Sequence, residues 1–210
     1  MRFERKYRVE NLSMPHIRQI IKSHPASFYK LYPNRTVNNI YFDTPNMVCL
    51  NENLMGINVR KKYRARWYGD DIRTIIAPKL EIKYKENELG GKTTFPLSPF
   101  ELSGIKGLQK EVNNLVPQQF ALQATLLNSY ERSYWGTNDG KFRITIDSNL
   151  RFHSLLHSPN FKQYLHRDHV VIVELKYERE DEKDLRRITR FLPFRLSKNS
   201  KYVNGILLTQ

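Results

Sequence analysis

Hydrophobic and polar residues alternate along much of this chain, and alternation predicts strands, because neighbouring side chains in a strand point to opposite faces. In Val59–Tyr68, Arg60, Lys62, Arg64 and Arg66 fall on one face, while Val59, Tyr63, Ala65 and Trp67 fall on the other and Lys61 is turned away from the row. The same division into an ionic and an apolar face recurs in Pro78–Lys85, Lys141–Ser148 and Val170–Tyr177. Phe3–Tyr7 and Tyr130–Tyr134 repeat it in shorter form.

Around these stretches the remaining elements follow from caps and turns. Arg2–Val9 reads as a first strand. Ser13 and Pro15 then start a helix that runs to about Ser23, with Ile17, Ile20 and Ile21 as its inner stripe. Thr36–Asp43 is a strand stopped by Thr44-Pro45, and Asn46–Met55 is a short helix ended near Gly56. Gly69-Asp70-Asp71 closes the basic strand. Ile75–Glu86 and Lys92–Leu97 form a hairpin around Leu89-Gly90-Gly91, and Ser98–Gln123 holds two or three short helices. A second hairpin, Leu126–Gly136 with Lys141–Leu150, turns at Asn138-Asp139-Gly140. Val170–Glu178 is a strand, and Glu182–Phe191 and Tyr202–Leu208 are helical. The sum is about eight strands in one domain spanning 1–210, with no linker composition to divide it.

Two architectures accept strands of this kind. One is a sheet with its oily side on a core and its charged side in water. The other is a closed antiparallel barrel with a polar, cation-rich interior and helices outside. Repeated Glu-x-Lys pairs (Glu4/Lys6, Glu81/Lys83, Glu174/Lys176) and the supply of amphipathic helix favour the barrel. Cations two residues apart sit about 6–7 Å from each other. At an effective dielectric near 20 each pair repels by roughly 2–3 kcal/mol before screening. Such a row suits open water or a dense anion lying along it.

Charge sharpens the picture. The 210 residues include 35 Lys and Arg against 21 Asp and Glu, a formal +14, which calls for an anionic partner. Nucleic acid is not expected: there is no basic tail or Arg/Gly repeat, and the cations sit on alternate strand positions. The single cysteine, Cys49, excludes an internal disulfide and reads as a buried small hydrophobe. No apolar run approaches the roughly 20 residues that span a bilayer. A cytoplasmic protein without a transmembrane segment is therefore expected. His153, His157, His166 and His169 lie in a stretch read as a solvated loop, since no Cys joins them and Pro159 interrupts any common helix.

Eight short motifs occur in order: Glu4-Arg5-Lys6-Tyr7, Ile40-Tyr41-Phe42-Asp43-Thr44, Tyr63–Gly69, Leu80-Glu81-Ile82-Lys83, Tyr130-Glu131-Arg132, Arg143–Asp147, Val173–Tyr177 and Ser200-Lys201-Tyr202. Together they resemble the VTC domain, the polyphosphate polymerase branch of the triphosphate tunnel metalloenzymes, over about Arg2 to Gly205. The resemblance implies an α+β fold whose closed antiparallel barrel is a cation-lined tunnel. The implied activity is metal-dependent transfer of the γ-phosphate of ATP to a growing inorganic polyphosphate chain. It implies Lys6, Arg64, Arg66, Lys83, Arg132, Arg143, Lys198 and Lys201 as catalytic phosphate-binding residues. Lys62, Lys92, Tyr130 and Ser200 would assist in binding the phosphates and nucleotide, and Glu174 would hold Mn2+ or Mg2+. Glu4 and Glu81 are read as partners of neighbouring cations, and Trp67 and Tyr68 as packing or rim residues.

The resemblance has one departure. Where the wider superfamily often opens on two alternating glutamates, the first position here is Arg2, which disfavours a two-metal hydrolase. The alternatives are a tripolyphosphatase or nucleoside triphosphatase of the same tunnel, and a non-catalytic module that binds polyphosphate or an inositol phosphate. ATP and inorganic polyphosphate are the expected partners, and any membrane partner is expected to be a separate polypeptide.

Overall fold

The computed structural model of the chain describes residues 2–86, 89–116, 120–156 and 166–210. Its strands are β1 (Arg2–Val9), β2 (Tyr29–Asp43), β3 (Val59–Tyr68), β4 (Thr74–Ile75), β5 (Lys79–Glu86), β6 (Leu89–Pro96), β7 (Phe100–Glu101), β8 (Gln123–Gly136), β9 (Phe142–Ser154), β10 (His166–Asp168) and β11 (Val171–Glu178). The helices are α1 (Met14–Lys22), α2 (Val48–Met55), α3 (Ile105–Leu115), α4 (Leu185–Thr189) and α5 (Lys201–Thr209).

Strands pair in the order β1-β11-β9-β8-β2-β3-β5-β6, with β10 beside β9 and a separate pair β4-β7. The pairs β1·β11, β11·β9, β2·β3, β3·β5 and β5·β6 are antiparallel. The α+β antiparallel character is therefore as expected. Among the described residues a closed barrel is not found: the strand order begins at β1 and finishes at β6. The outer edge of β1 is occupied by irregular chain. Tyr7 bridges to Leu196, the Ser197 N–H donates to the Lys6 carbonyl, and the Arg8 N–H donates to Ser197 Oγ.

The chain forms two compact units. The first comprises Met1–Arg35, Tyr130–Leu150 and Asp168–Asn199; the second comprises Thr36–Ser129, Arg151–Arg167 and Ser200–Gln210. In the first unit the apolar strand faces do what alternation predicts. Tyr7 and Val9 of β1, Phe142, Ile144 and Ile146 of β9, and Val171, Val173, Leu175 and Tyr177 of β11 form one core with Ile17 and Ile21 of α1 and Leu185 and Ile188 of α4. Ile20 packs at its margin. Ser13 occupies the N-cap position of α1 with Pro15 in the first turn, but its hydroxyl meets His16 Nδ1 (2.9 Å) and not a backbone amide.

In the second unit Ile40, Phe42, Tyr63, Ala65, Trp67 and Leu80 are buried beneath the strands, with Leu126, Phe152, Tyr202 and Ile206. Asp43, at the end of β2, fixes two helices at once. Its carboxylate accepts from the backbone N–H groups of Thr44, Cys49 and Leu50 at the start of α2, and from the Tyr202 hydroxyl (2.6 Å) on α5. Burial and the nearby Asp43 push the Cys49 thiol and the Tyr202 phenol up, so both stay protonated. Cys49 is an inert core residue, as its sequence context implies.

Several boundaries move from their expected places. β2 begins at Tyr29, seven residues early, because its first half is exposed and lacks alternation. α2 starts at Val48, since Met47 adopts a left-handed backbone (φ 54°). Ile75 belongs to the separate strand β4, which pairs with Phe100–Glu101. Leu89-Gly90-Gly91 is not the turn but the first part of β6, with Gly91 opposite Tyr84. A Cβ on Gly91 would collide with the Tyr84 ring, so glycine is needed there for the aromatic lying across it. The histidine-rich stretch is only partly a loop. Arg151–Ser154 extends β9 with His153 buried, and His166–Asp168 forms β10, while His157 lies outside the described residues. The helical segment after β11 is a 3-10 turn, Arg179–Asp184, running into α4. No helix among the described residues is long and apolar enough to cross a membrane.

Gly205 of α5 packs directly on the strands: an added Cβ would collide with the side chains of Leu126 and Phe152, both fully buried. Gly205→Ala is expected to lower stability by about 1–3 kcal/mol through overpacking, despite the helix preference for alanine. Urea denaturation checks this; an unchanged or raised midpoint would show that the helix can lift away at no cost.

Candidate functional site

β3 carries the cationic row, and its neighbours decide what that row experiences. In register across three strands stand Lys62 of β3, Lys83 of β5 and Lys92 of β6. Directly opposed side chains in a sheet lie about 4.5–5.5 Å apart at Cβ, and like charges so placed repel. The adjacent row places Arg64 opposite Glu81. Arg64 donates to Glu81 Oε2 through Nε (2.8 Å) and Nη2 (2.5 Å), Arg66 Nη1 lies 3.4 Å from the same oxygen, and Lys92 Nζ donates to Glu81 Oε1 (2.7 Å). These four side chains, three cations and one carboxylate, carry a formal +2. Arg64, Arg66 and Glu81 are buried, at 8, 9 and 5% exposure, so this is not the solvated face of an ordinary sheet.

Burial alone would raise the pKa of Glu81. The charges of Arg64 and Arg66 and the hydrogen bonds from Lys92 and Arg64 outweigh it and hold the carboxyl well below the usual range. Arg66 is also oriented by a residue that sequence reasoning misses. Its Nε donates to Asn39 Oδ1 (2.9 Å), and Asn39 Nδ2 donates to Asn128 Oδ1 (3.2 Å). Polar residues at Asn38-Asn39, inside an otherwise apolar strand, are the available signal.

Lys62 reaches Ser200, whose Oγ accepts from Lys62 Nζ (3.0 Å) and from the Val203 N–H at the start of α5. Lys201 is the buried first residue of that helix. Lys83 is exposed on β5, and Arg60 is engaged with the carbonyl of Ile57. Trp67 packs edge-on to Phe100 and donates to the Asp71 carbonyl, and Tyr68 is exposed, matching their assigned packing and rim roles.

The first unit holds a second set. Arg132 of β8 grips Asp147 of β9 with both arms, Nε to Oδ1 (2.5 Å) and Nη2 to Oδ2 (2.6 Å), and lies 3.4 Å from Glu174 Oε2 on β11. Its guanidinium sits 5.2 Å over the ring of buried Tyr130. Burial works against the charge of Arg132, but Asp147, Tyr130 and Glu174 more than compensate, so its pKa is raised further. Lys176 Nζ donates to Glu174 Oε2 (2.9 Å) and lies 3.9 Å from Glu4 Oε1, which is also 3.8 Å from Lys6 Nζ. Lys6 further donates to the Asn199 carbonyl (3.2 Å). Arg143 stands opposite Lys176 on β9 and is exposed. Lys198 is exposed in the irregular chain before α5. Asp147 and Lys176 lie inside the motifs, but nothing in the sequence alone gives them a role.

Glu174 is the expected metal ligand. Beside Lys176 and Arg132 it accepts from Thr145 Oγ1 (3.3 Å), and Glu4 lies across the shared lysine. Among the described residues no group of three or more His, Cys, Asp or Glu is placed to hold a metal. The carboxylate and hydroxyl donors nonetheless suit a hard cation of the Mg2+ type, which takes one or two carboxylates and completes its shell with water and substrate phosphates.

The fold has relatives among solved structures. A candidate adenylate cyclase from Bacillus halodurans superposes with a TM-score of 0.57 at 12% identity, covering 97% of this chain and 96% of that one. One from Vibrio parahaemolyticus gives 0.54 at 16% identity and covers 97% of each chain. A Hippeastrum adenylyl cyclase candidate, described as having a dominant triphosphatase activity, gives 0.51 at 14% identity and covers 96% of this chain and 93% of that one. At these identities the likeness is one of fold. No match to a curated protein was found. The VTC domain family model matches residues 1–210, and the chain belongs to the VTC domain family.

Because Glu81 is held ionised by three cations, its contribution to stability is complete above its unfolded pKa of about 4.5 and is lost as pH falls below that value. Glu81→Gln is expected to cost about 3–5 kcal/mol at neutral pH by leaving the buried cations without their carboxylate. It should also lack this acid-dependent loss. Urea titrations from pH 7 to pH 3 check both parts; a variant as stable as wild type, with the same acid slope, would show that the ion cluster does not hold the sheet.

Proposed function

We propose that the protein is a metal-dependent inorganic polyphosphate polymerase that uses ATP as phosphoryl donor. The observation that carries this reading is the in-register row Lys62–Lys83–Lys92 beside buried Arg64 and Arg66, a concentration of cations suited to a chain of phosphates. Membership of the VTC domain family supports it.

Phosphoryl transfer needs little covalent chemistry from protein groups; positioning and neutralising oxygens is most of the work. Arg64, Arg66 and Arg132 offer forked donors that orient phosphate oxygens, while Lys6, Lys62, Lys83, Lys92, Lys198 and Lys201 supply point charges along which a polymer can slide. Arg143, Tyr130 and Ser200 complete the binding set. A terminal phosphate oxygen of the acceptor attacks the γ-phosphorus of ATP. The bond from the γ-phosphorus to the β,γ-bridging oxygen breaks, ADP leaves, and the chain grows by one phosphate. A Mn2+ or Mg2+ ion held by Glu174, with Glu4 nearby, would supply further charge neutralisation between the phosphates. Arg132 and Lys176 hold the Glu174 carboxylate in place for that role.

The second reading is hydrolysis, with water as acceptor. The triphosphatase activity ascribed to the Hippeastrum neighbour favours it. Incubation with ATP and manganese, with and without a short polyphosphate primer, separates the two on a gel stained for polyphosphate. A ladder of lengthening chains is expected, reduced at least 100-fold in Glu174→Gln. Orthophosphate without a ladder would make the protein a hydrolase, and unchanged ATP would leave a polyphosphate-binding module.

A further inference from the structure

The first unit contains a cavity of about 380 Å3 whose walls combine two kinds of side chain. Arg132, Arg143 and Lys176 contribute cations, and Tyr32 and Tyr134 contribute phenol rings. Tyr134 lies two residues beyond Arg132 on the same face of β8, about 6–7 Å along the strand. Tyr32 comes from the early half of β2 and is 52% exposed. The two rings meet edge to face, with centroids 5.7 Å apart and planes at 85°.

Arg35 braces this pair. Its guanidinium lies 5.7 Å from the Tyr32 centroid and 5.9 Å from that of Tyr134, yet Arg35 is not among the residues lining the cavity. The rings are therefore steadied from outside the cavity while both still contribute to its wall. A phosphate chain has no π face, so these rings offer it only their hydroxyls. A heterocyclic base has one, and stacking on aromatic side chains is tolerant of base identity. A cavity of this volume is within the usual range for small-molecule sites.

We propose that Tyr32 and Tyr134, braced by Arg35, form the nucleoside pocket of the protein, stacking the base of a nucleoside triphosphate whose phosphates extend toward Arg132, Arg143 and Lys176. This rests on the nucleotide-dependent reading above and adds a base-recognition element to its phosphate grip. Recognition by stacking accepts purine nucleotides generally.

The test compares ATP, as its non-hydrolysable analogue with an imido β,γ-bridge, with inorganic tripolyphosphate by calorimetry at fixed salt, with Mn2+ present. The proteins are the wild type, the double variant Tyr32→Ala/Tyr134→Ala and the double variant Tyr32→Phe/Tyr134→Phe. The alanine pair is expected to weaken ATP binding roughly tenfold or more. Its tripolyphosphate affinity should stay within about twofold, which also shows that the variant is folded. The phenylalanine pair should keep its ATP affinity. Equal losses for both ligands, or no loss for ATP, would overturn the pocket while leaving the phosphate-binding reading in place. A wild type that binds neither ligand would overturn both.

Discussion

Arg64, Arg66 and Lys92 converging on the buried carboxylate of Glu81 is the contact on which the second unit depends. Burying two guanidinium groups on a strand face costs several kcal/mol per ion unless the charges are paired and hydrogen-bonded. Glu81 supplies that pairing, and Asn39 with Asn128 fixes Arg66 from the other side. The acid is outnumbered, however, and Lys62, Lys83 and Lys92 stand opposite one another without alternation of sign. The sheet is thus held together by ion pairs along a face rich in cations, a surface that suits a polyanion.

The first unit resolves the same problem with a different balance. Lys6, Arg132 and Lys176 are matched by Glu4, Asp147 and Glu174. Asp147 is committed to a two-pronged grip on Arg132, whereas Glu174 and Glu4 share Lys176. A carboxylate held by a long, flexible lysine side chain is one a divalent cation can recruit with little rearrangement. The fold that presents these sets is shared with candidate adenylate cyclases at 12–16% identity, so it is the family match, and not the fold alone, that points to polyphosphate.

Much of this is legible in the amino-acid sequence. Alternation locates β1, β3, β9 and β11 and separates their ionic from their apolar faces, because side-chain direction in a strand is a local property. Cap and turn chemistry locates α1, and Gly140, at φ 70°, sits in the turn of the second hairpin as expected. The features that escape a sequence reading are those decided by partners distant along the chain. Tyr29–Arg35 carries Pro33 and no hydrophobic period, so its membership of β2 comes from pairing alone. Gly90 and Gly91 resemble a turn, yet both lie in a strand, where the Tyr84 ring lies against Gly91. Leu196 and Ser197 occupy the edge of β1, and neither residue carries a signal of edge protection. Motifs cover most of the candidate site residues but not Asn39 or the Tyr32–Tyr134 pair, and they give Asp147 and Lys176 no role, since such roles arise only from what faces them.

Binding of a polyanion by these cations is tested most directly at Lys83. Lys83 lies between two lysines on neighbouring strands, so removing it should weaken the binding of an anion there. The measurement is the thermal midpoint of wild type and Lys83→Ala at low salt, with and without inorganic tripolyphosphate. The variant is expected to gain clearly less stability than wild type when the anion is added. A variant that is less stable alone, yet gains as much from tripolyphosphate as wild type, would mean that the lysine row serves the fold and not a phosphate chain.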